Sequence, residues 1–494
     1  MRIPLDRQNP IPLYQQIETF LRQGILSGSL ASETRLPATR QLARDLGVNR
    51  ITVETAYAEL EADGLIFSRV GSGAYVLPSM SLLPTSLPET GVTWPLWQEN
   101  LLAGQGNIRR SLPDEMLKAA GHPTPVDFSS GLGDSNLFPV DDFRKVMQTV
   151  MRRDGAAGLE FGEFKGYAPL RKTIAHVLGS QGLSIHPDQI LITAGSQQAL
   201  ALVAQLLLKP GDAVLVESPT YAGALDLFRL LHVQVRGIPL DERGMQVENL
   251  EQLLQQLKPK LIYSIPNFQN PTGTCLGSQR RRQLIALADR YNIPILEDDF
   301  VGDLRYDGRA QPALKAFDAG GRVIYVSTFS KMLMPGLRVG FLVAEGPVYD
   351  GLLHCKRTND LATSNLIQRA LEAYVTVGRY QAHLRHSCQL YRKRRDAMLQ
   401  AIQRYLPADV RFNPPQGGLF IWLELPDCIS ADQLLPLACQ AGVAFAPGSQ
   451  FFPDDSGHEN YLRLNFVAQP PEKIETGMKR LGKVLQRFRD TSAG

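Results

Sequence analysis

Five short apolar runs constrain this chain more than any other feature. Residues 190–193, 213–216, 261–265, 293–296 and 323–326 are strings of Ile, Leu, Val, Ala and Tyr broken only by Thr193, Ser264 and Pro294, and from about residue 170 stretches with helical spacing of apolar positions separate them. Nearly continuous apolar runs of this length read as strands buried on both faces. Their alternation with helices implies an α/β body with a mostly parallel sheet and helices on both faces. Ligands of such sheets lie beyond the carboxyl ends of the strands, so the residues that follow each run are where chemistry is expected.

The run at 190–193 leads into Ala194-Gly195-Ser196-Gln197, a strand-to-helix turn. The amides near Gly195, Ser196 and Gln197 can hold a phosphate dianion, although glycine also suits an ordinary turn. After 261–265 comes Asn267-Phe268-Gln269-Asn270-Pro271-Thr272-Gly273, in which Asn270 can donate to a phenolate oxygen; Asn-Pro-Thr-Gly serves equally well as a turn. The run at 293–296 ends in Glu297-Asp298-Asp299-Phe300, consecutive acids that must be solvated, paired or functional. A carboxylate beside a pyridine nitrogen keeps it protonated and makes the ring an electron sink.

The last run opens into Ser327-Thr328-Phe329-Ser330-Lys331, with Arg338 seven positions later beside Gly336 and Gly340. A lysine among hydroxyl residues with an arginine close by suits an amine that forms a Schiff base next to a bound phosphate, the chemistry of pyridoxal 5'-phosphate (PLP). Taken alone, such a lysine reads as a solvated surface charge. Four such features in one order, each at a strand end, point jointly to a PLP site.

Residues 1–76 have a different character. Apolar positions at Leu13, Ile17, Phe20, Leu21 and Ile25 mark a first helix ending near Gly28; Thr39 to Leu46 forms a second, and Asn49 caps a third running to about Asp63. On the third helix Val53, Ala56, Tyr57 and Leu60 face inward, leaving Arg50, Thr52, Glu54 and Thr55 outward near its start, where a helix-turn-helix reads the major groove. Residues 65–76 form two strand-like runs about Gly71-Ser72-Gly73, a β-hairpin wing. The segment holds eight arginines, no lysines and eight acids, so charge does not separate a DNA-binding head from a plain packing unit.

Residues 78–121, with Pro78, Pro84, Pro88, Pro95 and Pro113, read as a linker, and Trp94 and Trp97 as anchors that dock it on a neighbouring domain. The expected domains are 1–77, the linker, and 122–494, with a smaller subdomain from about 375. Five scattered cysteines without a CxxC read as reduced thiols, with no disulfide framework and no metal site. No apolar stretch is long enough for a signal core or membrane span, so a cytoplasmic protein is expected. A net charge of +3 says nothing about partners.

The stretch Leu36-Pro37-Ala38-Thr39-Arg40-Gln41-Leu42-Ala43, then Leu46-Gly47-Val48-Asn49-Arg50-Ile51-Thr52-Val53, resembles the GntR-type winged helix. That resemblance implies contact with double-stranded DNA through Arg40, Arg50 and the wing glycines Gly71 and Gly73, with Arg35, Thr39 and Thr52 as neighbours. Residues 122–485 resemble the fold-type-I aminotransferases. This implies Lys331 as the Schiff-base lysine, Asp298 as the pyridinium partner, Asn270 at the ring oxygen and Tyr221 on the ring face. It also implies Gly195, Ser196, Gln197, Thr328, Ser330 and Arg338 at the phosphate, and Arg463, in Tyr461-Leu462-Arg463-Leu464-Asn465-Phe466, at a substrate carboxylate. Phe300 and Phe161 stand where relatives commonly have tyrosines, the latter reaching a neighbouring subunit's phosphate.

Together the halves resemble the MocR/GabR regulators of bacteria. The resemblance implies a head-to-tail homodimer whose PLP site senses an amino acid, an amine or PLP itself; the competing expectation is a working aminotransferase with an accessory head.

Overall fold

The computed structural model describes residues 3–7, 11–26, 29–30, 34–63, 65–69, 73–77, 113–454 and 458–492. Gly71, Trp94, Trp97 and most of the expected linker lie outside these residues. The chain divides into two units, Met1–Ile108 and Arg109–Gly494.

In the first unit, helices α1 (Leu13–Leu26), α2 (Thr39–Leu46) and α3 (Arg50–Ala62) pack with a hairpin of β1 (Ile66–Arg69) and β2 (Gly73–Val76). The period of 3.6 puts Ile17, Leu21 and Ile25 of α1, Leu42 of α2, and Val53, Ala56 and Leu60 of α3 into one core, closed by Ile66 and Val76 from the hairpin. Gly47 ends α2 in the left-handed conformation at φ +63°, and Asn49 Oδ1 accepts from the Ile51 amide at 3.1 Å to start α3. The hairpin is antiparallel, pairing Ile66 with Val76 and Arg69 with Gly73. A third segment joins it: Leu36 N donates to Ala74 O at 2.9 Å and Val76 N to Thr34 O at 3.0 Å.

The second unit is built on an eight-stranded sheet. After a short β3 (Val126–Asp127), its strands are β4 (Ile190–Thr193), β5 (Ala213–Ser218), β6 (Gln234–Asp241), β7 (Gly244–Met245), β8 (Leu261–Ser264), β9 (Ile295–Asp298), β10 (Val323–Thr328) and β11 (Gly340–Val343). Their order across the sheet is β4-β11-β10-β9-β8-β5-β6-β7. All run parallel except β11, antiparallel to β4 and β10, and β7, antiparallel to β6. Alternation along the strands feeds two cores. Val214, Val216, Tyr263, Leu296, Ile324 and Val326 face one side with helices Ala168–Ser180 and Ser196–Leu207. Leu215, Ile262, Ile295 and Val323 face the other, with Leu250, Leu254, Leu284 and Ala288 of two further helices.

The run expected at 293–296 is displaced: β9 begins at Ile295, because Asn292 caps the preceding helix at φ +53° and the Ile293 amide is spent on Ala288 O. Beyond it, a four-stranded antiparallel sheet of β12 (Arg411–Phe412), β13 (Phe420–Glu424), β15 (Ala446–Pro447) and β16 (Tyr461–Asn465), with β14 (Val443–Ala444) set apart, forms the smaller subdomain. This subdomain also takes chain from far upstream. β14 pairs in parallel with β3, and helix Pro113–Ala119, which the sequence placed within the linker, buries Pro113 and Leu117, with Cys439 Sγ 3.9 Å from Pro113 O. The body therefore takes in described chain before residue 122. No helix among the described residues is long and apolar enough to cross a membrane.

Candidate functional site

Because β4, β8, β9 and β10 run parallel, the residues after them converge at one edge of the sheet. From β10 comes Lys331, whose Nζ donates to Gly131 O at 2.8 Å. Its pKa is lowered to about 8, first by burial and then by the charges of Arg463 and Arg338. From β9 comes Asp298: Oδ2 accepts from the Tyr263 hydroxyl at 2.9 Å, while Oδ1 is buried with no partner. Burial, reinforced by Asp299, raises its pKa to about 7.

After β4, Gly195 (φ +94°) turns the chain into helix Ser196–Leu207, whose first amides have no intrahelical acceptor. A Cβ at Gly195 would stand 2.8 Å from Arg338 Nη2, so only glycine lets the guanidinium lie against this turn. Arg338, itself at φ +50°, donates Nη2 to Ala194 O at 3.0 Å. Ser330 Oγ is buried without a partner. The Thr328 hydroxyl, in contrast, donates to Val339 O at 3.2 Å and accepts from Ser330 N at 3.1 Å, which commits its proton to holding the loop. Gln197 is likewise tied by its side chain, donating to Gly223 O and accepting from the Tyr221 hydroxyl at 3.1 Å, so its backbone amide is what it offers an anion.

Arg463 enters from β16 and is buried. Nη1 donates to Asn270 Oδ1 at 2.9 Å and Nη2 to Ser129 O at 2.6 Å, while Nε has no partner. Phe420 and Phe451 flank the guanidinium with ring centroids 4.1 and 4.8 Å away. Burial lowers its pKa to about 9. A desolvated cation held only by neutral oxygens and aromatic faces is a receptor for an anion. The unpartnered Asp298 Oδ1 and Ser330 Oγ, with the amine of Lys331 beside them, are a donor and acceptor set that suits the ring nitrogen, phosphate and aldehyde of PLP.

In the head, Arg35 lies over the wing, since a Cβ at Gly73 (φ +115°) would meet its Nε at 3.3 Å. Arg40 is exposed at the start of α2 beside Thr39. Arg50 opens α3 and donates Nε to Glu54 Oε1 at 2.6 Å, with Thr52 half-buried in the same first turn.

Residues 127–481 match the family Aminotransferase class I and II, and residues 13–76 match the Bacterial regulatory proteins, gntR family. The chain is 35% identical over 475 residues, 96% of its length and 99% of the relative's, to the uncharacterized HTH-type transcriptional regulator YdcR of Escherichia coli (strain K12). It is 29% identical over 497 residues, 99% of its length and 97% of the relative's, to the probable rhizopine catabolism regulatory protein MocR of Rhizobium meliloti. The chain belongs to this MocR-type family of HTH regulators. Its body is also similar to the solved structure of LysN, α-aminoadipate aminotransferase from Thermus thermophilus, complexed with N-(5'-phosphopyridoxyl)-L-leucine, at 36% identity and TM-score 0.74, covering 80% of this chain and 99% of that one. Family membership implies PLP in the body and DNA at the head.

Several residues of the regulator's site are not visible in its sequence motifs. Tyr263 under Asp298, and Ser129 and Gly131 as carbonyl acceptors for Arg463 and Lys331, act across long separations. A lone tyrosine in the apolar run 261–265 and the pair of glycines at 131 and 133 were the available signals. On the head, Ile51 is 66% exposed beside Arg50. Of the two departures from tyrosine, Phe300 is buried and Phe161 is 87% exposed.

Proposed function

We propose that this regulator holds PLP on Lys331 and uses it to detect an amino acid or amine, or PLP itself, changing the occupancy of promoter DNA by its heads. PLP when bound supplies an aldehyde that exchanges amines as imines and a ring that withdraws electrons. Lys331, with its lowered pKa, is an amine that is neutral in a large fraction near pH 8 and so competent to attack a carbonyl. Asp298 offers Oδ1 to the ring nitrogen, Tyr221 packs on the ring face, and Asn270 offers its amide to the ring oxygen. Gly195, Ser196, Gln197, Ser330 and Arg338 hold the phosphate, with Thr328 bracing the loop. Arg463 holds the effector's carboxylate, and Arg35, Thr39, Arg40, Arg50, Thr52, Gly71 and Gly73 meet DNA.

The observation that carries this reading is Arg463: a buried guanidinium with an orphaned Nε and no acidic partner among its hydrogen bonds, facing the same site as Lys331, in a chain that begins with a GntR head. A head-to-tail homodimer, which the resemblance to the family implies, would cover the exposed Phe161.

The test is an absorbance titration of the PLP-loaded protein with amino acids, polyamines and PLP, with upstream promoter DNA present. A saturable spectral change coupled to altered DNA retention, without release of a keto acid, is expected. Rapid multiple-turnover keto-acid formation with an added acceptor, indifferent to DNA, would replace this reading by that of an aminotransferase carrying an accessory head.

A further inference from the structure

The start of α3 presents a side chain that the DNA contacts above leave unused. Ile51 is the second residue of that helix and at 66% the most exposed large hydrophobic among the described residues of the head. Its backbone is fixed on both sides: the amide donates to Asn49 Oδ1 at 3.1 Å, and the carbonyl accepts from the Thr55 hydroxyl at 2.9 Å. A β-branched side chain on a fixed helical backbone has essentially one χ1 rotamer, so its methyl groups are offered in one direction.

Arg50, the preceding residue, is constrained in a complementary way. Its Nε donates to Glu54 Oε1 at 2.6 Å, one turn along the helix. That bond uses the Nε of the guanidinium and leaves the Nη1–Nη2 edge, two parallel donors on a half-exposed side chain, available to an acceptor. Glu54 has a cost in this position, because a carboxylate near the phosphate backbone is repelled by it. Paired with Arg50, it sets an orientation that a bare arginine lacks.

Base edges in the major groove give each of these groups one best partner. Two parallel donors match guanine O6 and N7. An aliphatic side chain without donor or acceptor matches the single apolar group there, the thymine C5-methyl. Consecutive side chains on a helix point about 100° apart, so the two groups reach different base edges, and with bases along a strand ~3.4 Å apart one helix start spans a few base steps.

We propose that Ile51 reads a thymine methyl group and that Glu54 is a positioning residue that aligns Arg50 on a guanine, so that the bound sequence carries a guanine and a thymine within a few base steps. The inference rests on the DNA-binding reading of the head and adds to it the identity of two bases and a role for two residues.

The test starts with full-length, PLP-loaded protein selecting duplexes from a random-sequence pool. The enriched sequence is then remade with deoxyuridine at each thymine in turn, which removes only the methyl group. One replacement is expected to weaken the wild-type protein about fourfold, while Ile51→Ala binds the thymine and uracil duplexes equally. Glu54→Gln is expected to retain random-sequence DNA at least as well as wild type, yet to lose about fivefold or more of the preference for guanine at one position.

Sequence-selective binding with no methyl effect, or with the effect persisting in Ile51→Ala, overturns the assignment of Ile51. An unchanged guanine preference in Glu54→Gln overturns the positioning role. If no duplex is retained even at low ionic strength, the DNA-binding reading itself falls, and this inference with it.

Discussion

Arg463 Nη1 sits 2.9 Å from Asn270 Oδ1, joining a strand of the smaller subdomain to the turn after β8 across 193 residues of sequence. With Ser129 O on Nη2 and the rings of Phe420 and Phe451 on either side, the guanidinium is fixed in place and desolvated before any anion arrives. Preorganisation of this kind favours a carboxylate that accepts two parallel N–H bonds. Arg463→Lys keeps a charge but loses the fork. We expect it to weaken carboxylate-bearing effectors by about 2–5 kcal/mol, ~30-fold or more, while PLP remains trappable on Lys331 by borohydride. Equal weakening of amines that lack a carboxylate would remove Arg463 from this role.

Gly195 and Arg338 depend on each other in the same local way. At φ +94° and ψ 167°, a region that is essentially glycine's alone, an alanine is strained by about 1–3 kcal/mol, and its Cβ would stand 2.8 Å from Arg338 Nη2. Gly195→Ala is therefore expected to displace the guanidinium and to reduce PLP affinity at least tenfold, with a lowered melting temperature. Fluorescence titration of the apoprotein with PLP measures the first effect. An unchanged affinity would mean that the anion is held elsewhere.

How much of this was legible in the sequence follows from the range of the interactions involved. Strand ends, the left-handed Gly47, the Asn49 cap and the Gly195 turn are local, set by residues a few positions apart, and the motifs carry them. The candidates after β4, β8, β9 and β10 meet because parallel strands put their carboxyl ends on one edge, which alternation alone implies. The Tyr263 hydroxyl under Asp298 and the carbonyls of Ser129 and Gly131 come from tertiary packing, and no local pattern encodes them. Helix Pro113–Ala119 is too short and too close to prolines to stand out from a tether; its docking on the smaller subdomain makes it a helix. Ile51 does not stand out in the sequence, where an apolar residue in a helical run reads as core; in the fold the stripe of Val53, Ala56, Tyr57 and Leu60 already fills that core.

Lys331 supplies a kinetic prediction. Its pKa lies near 8 because burial disfavours the ammonium and two arginines add to the effect. Only the neutral amine attacks an aldehyde, so covalent capture of PLP by the apoprotein should accelerate about tenfold per pH unit up to about pH 8 and level off above it. An ordinary lysine would still be accelerating beyond pH 9. Borohydride trapping at timed intervals from pH 6 to 9.5 distinguishes the two profiles. Arg463→Met, which removes one of the two charges, should move the plateau to higher pH.

The buried carboxyls make the apoprotein's stability depend on pH in a direction opposite to that of ordinary acid denaturation. Asp298 and Glu297 have pKa values raised to about 7, and Glu217 and Asp303 to about 6, in each case chiefly by burial. A raised pKa means that the folded state binds more protons than the unfolded chain between about pH 4 and the folded value, so stability falls as pH rises through that window. Carboxyls held low by arginines, such as Asp154 at about 2, lose their contribution only below about pH 4 and do not mask this trend. The melting temperature of the apoprotein should therefore decline from about pH 5 to 7. Asp298→Asn, which removes the titration and keeps an acceptor for Tyr263, should flatten part of the decline, a contribution of ~2 kcal/mol over that window. A pyridine nitrogen placed against Asp298 Oδ1, as proposed above, would favour the charged form, so loading with PLP should raise the melting temperature more at pH 7.5 than at pH 5. A stabilisation by PLP independent of pH, or one retained in full by Asp298→Asn, would separate Asp298 from the cofactor's ring nitrogen.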